Sequence, residues 1–458
     1  MFSEPKICKV KITLFLLSFF SLSLFAQQVK FIISNAPEKA VLLEIKGEEK
    51  IPVDTLFNIN GVFAFSASKF HEGFYRLRFE KGKSVDVDFA LEAKDAVFTA
   101  EYENLPSGFR VEKSDCNKLY FDFLKTEKTF EKRTALLKRV LAAFPDTSAY
   151  YSATLTELKN VRRNFEAYIA KITRNLPANS FVARYLRSAA KPPLPVALPL
   201  SEEIEYLKKH ALDGVDFSDG DLIYSDLFTK KTIEYLGYYK NRKLSAEELV
   251  GNFRIASDTL LNKAKANRAV YEHVAEYLLN GFSEYGFNSV VDYVIDKYVV
   301  KDDLQINTQK LSLKKRINQA KYFKIGSIVP NIILPDTSGN IVNLYDLDFD
   351  RKLILFYASW CPHCSENLPA LVKLYNEQKE KKVEILAVSI DTKRKDWIKV
   401  IRKFGMNFLN VSDLKGWNGK TSVEYFLYAT PTIFVIDKKN KILAKPTSID
   451  EIKEVFYE

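Results

Sequence analysis

A short, continuously apolar run, Leu353 to Ala358, leads into Trp360-Cys361-Pro362-His363-Cys364, and helical spacing follows from Cys364 to Glu380. That order constrains this chain more than any other feature. A run apolar at every position suits a strand buried on both faces of a sheet, so the cysteines fall where a buried strand meets a helix. A thiolate at a helix N-terminus faces unpaired amides and the positive end of the helix dipole, which stabilise the anion. Cys361 is therefore expected to be the exposed nucleophile. Cys364, one turn in and more buried, can attack a mixed disulfide. Two intervening residues let both sulfurs meet on one helical turn. Trp360, Pro362 and His363 are the expected tuning residues: Pro362 helps start the helix, and His363 adds partial positive charge beside the thiolate.

Other uses of a CxxC pair can be weighed on the same residues. A zinc site needs about four ligands. The chain offers only Cys116 and three further histidines, His71, His210 and His273, none at ligand spacing. No metal and no cofactor are expected. A thiol peroxidase needs a proline seven residues and a threonine three residues before its nucleophile; Ile354 and Ala358 stand there. The cysteine total is also too small for a disulfide-stapled scaffold. Cys116 is expected to be a buried small hydrophobe, with a redox relay role as the alternative.

The N-terminus has the order of a secretory signal. Lys6, Lys9 and Lys11 precede an apolar run from Ile12 to Phe25, then Ala26 and the polar pair Gln27-Gln28. The run is shorter than the ~20 residues needed to span a bilayer. Cleavage is expected near Ala26, removing Cys8 and placing the mature protein in the periplasm or otherwise outside the cytoplasm. Removing three lysines and Glu4 takes the net charge from +10 to +8. The basic residues are scattered among acids without an arginine-rich stripe, so nucleic-acid binding is not expected. Contact with an anionic membrane surface stays open.

At 458 residues the chain suits two or three domains. Residues 27–114 read as a small antiparallel β-sandwich. Val29–Ile33, Ala40–Ile45, Val62–Phe65, Tyr75–Phe79, Val85–Phe89 and Ala96–Ala100 are separated by turn-forming clusters such as Asn60-Gly61. Residues 115–322 read as an all-α domain. There Ser245 and Glu248 form a capping box, opening a helix whose Leu249, Phe253, Ala256 and Leu260 make one apolar stripe. Lys191-Pro192-Pro193-Leu194-Pro195 reads as an extended linker within it. Residues 323–458 alternate strands with helices, the pattern of an α/β unit on a central sheet.

This last region resembles the TlpA/ResA-like thioredoxin family of thiol–disulfide oxidoreductases. The likeness rests on Gly326, Pro330 and Leu334–Asn340, on Phe356–Cys361, on Pro369 within the first helix, and on Thr430-Pro431-Thr432. It implies a thioredoxin-like fold, an active-site pair Cys361 and Cys364, and a cis-proline loop in which Thr430 and Pro431 bind the substrate backbone. Two positions depart from the pattern: Asn367 stands where the family often has a glutamate, and Leu355 where thioredoxin has a buried aspartate. Val53-Asp54-Thr55 and Asn60–Phe65 resemble the small N-terminal domain of many such fusions, and the helical middle resembles their insert.

The combined reading is an exported thiol–disulfide oxidoreductase that reduces protein disulfides and is recycled by an upstream thiol reductant. The Pro-His dipeptide is also that of the strongly oxidising disulfide-forming enzyme, so an oxidase or isomerase is one alternative. A polypeptide-binding scaffold with an incidental redox pair is another.

Overall fold

The computed structural model describes residues 27–457 except 82, 175–176, 178, 193, 196–197, 199, 242 and 378–382; the export signal read from residues 1–26, with Cys8, lies outside them. The chain divides into two compact units: residues up to Ala197 with Asp221–Leu227, and Leu198–Gly220 with Phe228–Glu458. The expected boundaries at 114/115 and 322/323 mark changes of secondary structure. Compactness divides the chain elsewhere, inside the helical stretch: the helix Asp115–Ala143 packs on a strand of the first unit, whereas the helix Leu311–Tyr322 is tied to Tyr425 and Phe426 of the last region.

Among the described residues the first unit holds eight strands: β1 (Gln28–Ser34), β2 (Lys39–Lys46), β3 (Glu49–Phe57), β4 (Val62–Ser66), β5 (Gly73–Lys81), β6 (Lys83–Leu91), β7 (Ala96–Glu101) and β8 (Arg110–Lys113). They form two four-stranded sheets, β4-β1-β7-β8 and β3-β2-β5-β6. Residues from both sheets meet in one core, where Phe31 stacks on Phe98 at 4.8 Å and meets the edge of Phe89 at 5.0 Å. The expectation of a wholly antiparallel arrangement needs correction, since β1 runs parallel to β7. Alternating burial dictates which face of a strand is covered but not its direction. The long excursion between β1 and β7 leaves either direction open. Strand β3 escaped the pattern because it is an edge strand: it is largely exposed, and Pro52 sits beside a register shift.

Three helices complete this unit: α1 (Asp115–Ala143), α2 (Ala149–Arg174) and α3 (Phe181–Ala189). Asn117, fully buried on α1, accepts the Ala90 N–H at 2.8 Å and donates to the Ala90 carbonyl at 2.8 Å. Cys116 beside it is buried and reduced, and burial followed by the Glu92 charge pushes its thiol up to about 11. That is the environment of an inert thiol.

The second unit begins with α4 (Leu200–His210), α5 (Leu227–Tyr239, which starts at the unit boundary), α6 (Ala246–Ala264), α7 (Arg268–Glu284), α8 (Asn288–Val294) and α9 (Leu311–Tyr322). The Ser245–Glu248 capping box opens α6. Helix α8 passes without a break into a π-helical turn, Ile295–Val300.

The last region adds β9 (Ile333–Pro335), β10 (Ile341–Asn343), β11 (Arg351–Tyr357), α10 (Pro362–Glu377), β12 (Val383–Ser389), α11 (Arg394–Phe404), β13 (Leu409–Val411), α12 (Lys420–Glu424), β14 (Thr432–Asp437), β15 (Ile442–Ala444) and α13 (Ile449–Tyr457). Strands β9 and β10 form a hairpin, and the other five make a sheet in the order β13-β12-β11-β14-β15. Strand β11 is central, parallel to β12 and antiparallel to β14. Side chains from Lys352 to Tyr357 are all buried, so the strand is covered on both faces as its apolar run requires.

Helix α9 joins this sheet's periphery. Gln319 donates to the Tyr425 carbonyl at 2.9 Å in a buried setting, and Tyr322 stacks on Phe426 at 5.6 Å. Among the described residues no helix is long and apolar enough to cross a membrane.

Replacing Asn117 by Ala leaves a buried Ala90 N–H and carbonyl without their partner. The expected cost is about 1–3 kcal/mol, read as a lower urea midpoint for the first unit with an unchanged slope.

Candidate active site

Strand β11 ends at Tyr357, and four residues later Cys361 stands immediately before α10, the position of a helix N-cap. Its sulfur accepts the Cys364 amide at 3.3 Å, as a serine hydroxyl would accept from the third residue of a helix. Pro362 takes the first helical position, where a missing N–H costs nothing. On the other side, Cys361 Sγ donates to the Thr430 carbonyl at 3.2 Å, and the Thr430–Pro431 peptide is cis. The structure therefore brings the two cysteines, Pro362 and the Thr430–Pro431 turn to one point.

Both thiols are reduced. Cys364 is 2% exposed, and burial, with the Cys361 sulfur alongside, pushes its thiol well above the usual range. Cys361 is expected to be exposed, and here the structure corrects the expectation: it is 4% exposed. The first turn of α10 and the Thr430 turn cover it from opposite sides.

Trp360 is 57% exposed, and its ring lies 6.3 Å from that of Trp417. His363 is also exposed, and its Nδ1 faces Glu366 Oε2 at 3.4 Å. Among the described residues no cluster of His, Cys, Asp and Glu could hold a metal ion.

Two contributors were not legible as site residues. Asp391 is buried just beyond β12, and its carboxylate accepts the Ser359 N–H at 3.1 Å, the Ser359 hydroxyl at 2.6 Å and the Ser389 hydroxyl at 2.7 Å. It fixes the loop that carries Trp360 and Cys361. Its place at the carboxyl end of a parallel strand, where sites of open α/β sheets gather, is the signal that could have found it. The second is Arg316 on α9, whose guanidinium lies 5.3 Å from the Tyr428 ring, two residues before Thr430. Its side chain is 11% exposed and is held by Asp292 at 2.6 Å and by the Asn288 side chain and carbonyl at 2.8 and 3.0 Å. Nothing in the sequence connects residues 316 and 428.

A cavity of about 520 Å³ reaches Cys364. Its lining includes Leu355, His363 and Pro431 from the sheet region, and Asp292, Asp296 and Arg316 from the helices.

Fold and site together define a thioredoxin-like domain carrying a CxxC dithiol. Residues 325–445 match the AhpC/TSA family. The thiol-disulfide oxidoreductase ResA of Bacillus cereus is 31% identical over 122 residues, 27% of this chain and 69% of that protein. ResA of Bacillus anthracis is 32% identical over 26% of this chain and 68% of that protein. The thioredoxin domain of a thiol-disulfide oxidoreductase from Bacteroides vulgatus is 30% identical, covering 29% of this chain and 96% of that one with a TM-score of 0.28. The chain belongs to the ResA-like family of thiol–disulfide oxidoreductases.

Replacing Asp391 by Ala leaves the Ser359 amide and two hydroxyls without their acceptor. A loss of about 3 kcal/mol is expected, measured by chemical denaturation. A second outcome concerns pH. Cys364 gives up its proton near 9.0 in the unfolded chain but only at higher pH when folded. The reduced protein binds that proton more tightly folded, so this contribution is complete below pH 9 and is lost as pH rises through the folded value. Cys364→Ala should flatten the alkaline slope of stability against pH.

Proposed function

We propose that this chain is an exported thiol–disulfide oxidoreductase that reduces disulfides in protein substrates through Cys361 and Cys364. The observation that carries the reading is the placement of Cys361 Sγ, between the Cys364 amide at 3.3 Å and the Thr430 carbonyl at 3.2 Å. Amides at a helix start stabilise a thiolate once the proton has left. Cys361 attacks one sulfur of the substrate disulfide, forming a mixed disulfide and expelling the first substrate thiolate. Cys364 then loses its proton and attacks Cys361 Sγ. The substrate's second sulfur leaves as a thiolate, and a Cys361–Cys364 disulfide remains. Two electrons pass from the dithiol to the substrate, and an upstream thiol reductant must return them.

The Thr430–Pro431 turn sits against the attacking sulfur, which supports a role in holding the substrate backbone. Exposed Trp360 beside it offers an apolar contact for a polypeptide. Export is supported by the basic, apolar and then polar order of residues 1–28.

Cys361→Ser should abolish turnover of insulin disulfides, whereas Cys364→Ser should accumulate a covalent mixed disulfide visible on a non-reducing gel. Normal turnover by both variants would sink the assignment. Equilibration with glutathione or dithiothreitol buffers then gives the direction. A midpoint near thioredoxin's ~−270 mV marks a reductase, and one near ~−120 mV an oxidase.

A further inference from the structure

Resolution of the mixed disulfide requires Cys364 to lose a proton, yet its sulfur is buried and burial favours the thiol. At neutral pH a group that accepts this proton would speed the step. The cavity that reaches Cys364 shows which groups are available. Every cavity-lining residue contributed by the region after Phe323 lacks a carboxylate: Leu355 and Asn367 line it, and the ionisable groups there are His363, Tyr428, Lys445, Cys364 itself and Tyr357, whose hydroxyl is held between Asn410 and Trp397. Both carboxylates of the lining, Asp292 and Asp296, come from the helical stretch.

These two differ. Asp292 is committed to Arg316 at 2.6 Å. Asp296 lies one turn further along, on the π-helical segment, and π turns are frequent at functional sites. The residue is exposed by area but set in the concave wall, in contact with solvent and cavity together. Partial burial holds its carboxyl above the usual range, with Asp292 acting in the same direction and Lys445 and Arg316 opposing. His363 faces Glu366, and Tyr428 lies under Arg316. The wall is anchored: Arg316 on Tyr428 and Gln319 on the Tyr425 carbonyl tie α9 to the segment preceding the cis-proline turn.

We infer that Asp296, supplied by the helical stretch, accepts the proton of Cys364 through water in their shared cavity when the mixed disulfide is resolved. The inference rests on the exchange reading above. The step balances as follows: the Cys364 proton passes to the Asp296 carboxylate, the Cys364 thiolate bonds to Cys361 Sγ, and the bond from Cys361 to the substrate sulfur breaks. The departing thiolate takes a proton from solvent, and Asp296 returns its own to solvent at the cavity mouth. The helices are then part of the reaction.

The test uses the reduced full-length protein and the aromatic disulfide 5,5′-dithiobis(2-nitrobenzoate) in stopped flow. Attack by Cys361 releases one coloured thiolate, and resolution by Cys364 releases a second. In the wild-type protein the second phase should be level at neutral pH and fall in acid as Asp296 protonates. Asp296→Asn should leave the first phase unchanged and slow the second by about 10²-fold at pH 7. Its rate should then climb tenfold per pH unit, because only hydroxide removes the proton. Asp296→Glu should restore the level region. A second phase in Asp296→Asn with wild-type rate and pH profile overturns the inference. So does an Asp296→Glu variant as slow as Asp296→Asn, which would give residue 296 a packing role. A wild-type protein releasing no coloured thiolate would instead remove the exchange reading itself.

Discussion

The site depends on one sulfur serving as a helix cap. Cys361 occupies the N-cap position that serine or threonine often takes, and its sulfur receives the Cys364 amide there. That contact ties the sulfur to the first turn of α10, as a capping hydroxyl is tied to the helix it opens. It works only if the helix start is held still. Strand β11, covered on both faces, fixes one side, and the Thr430 carbonyl closes the other.

Polar contacts add to the apolar packing around the two cysteines. Asp391 gathers the Ser359 amide and two hydroxyls beneath the loop. A buried carboxylate is costly unless its oxygens are satisfied, and these three donors meet that need while pinning the approach to Cys361. On the far side of the cis-proline turn, Arg316 spans from α8 to the Tyr428 ring. The helical stretch is therefore not a passive spacer in this unit. It builds one wall of the cavity behind Cys364 and holds the segment that supplies the Thr430 carbonyl.

Much of this was legible in the chain. The β11 and α10 segments, the Ser245–Glu248 cap and the closing helix Ile449–Tyr457 follow from periodicity and end signals, and the structure places all of them. Edge strands were harder. Strand β3 is mostly exposed and carries Pro52, so it lacks the alternation that betrays a half-buried strand. The short β13 has too few residues for any period to emerge. The expected exposure of Cys361 failed for a related reason: what covers it is a turn 69 residues away, and local sequence cannot report a distant lid.

The sequence alone determined that two thiols sit at a strand-to-helix junction, because apolar continuity, CxxC spacing and helical periodicity are local properties of the chain. Only the tertiary structure decided which groups surround them. The Thr430 carbonyl meets Cys361, the Asp391 carboxylate holds the loop before it, and the Asp296-bearing wall lines the cavity behind Cys364, each from a separate part of the chain. Their meeting depends on how the sheet orders its strands and where the helices dock, and no residue's neighbours in the chain encode that.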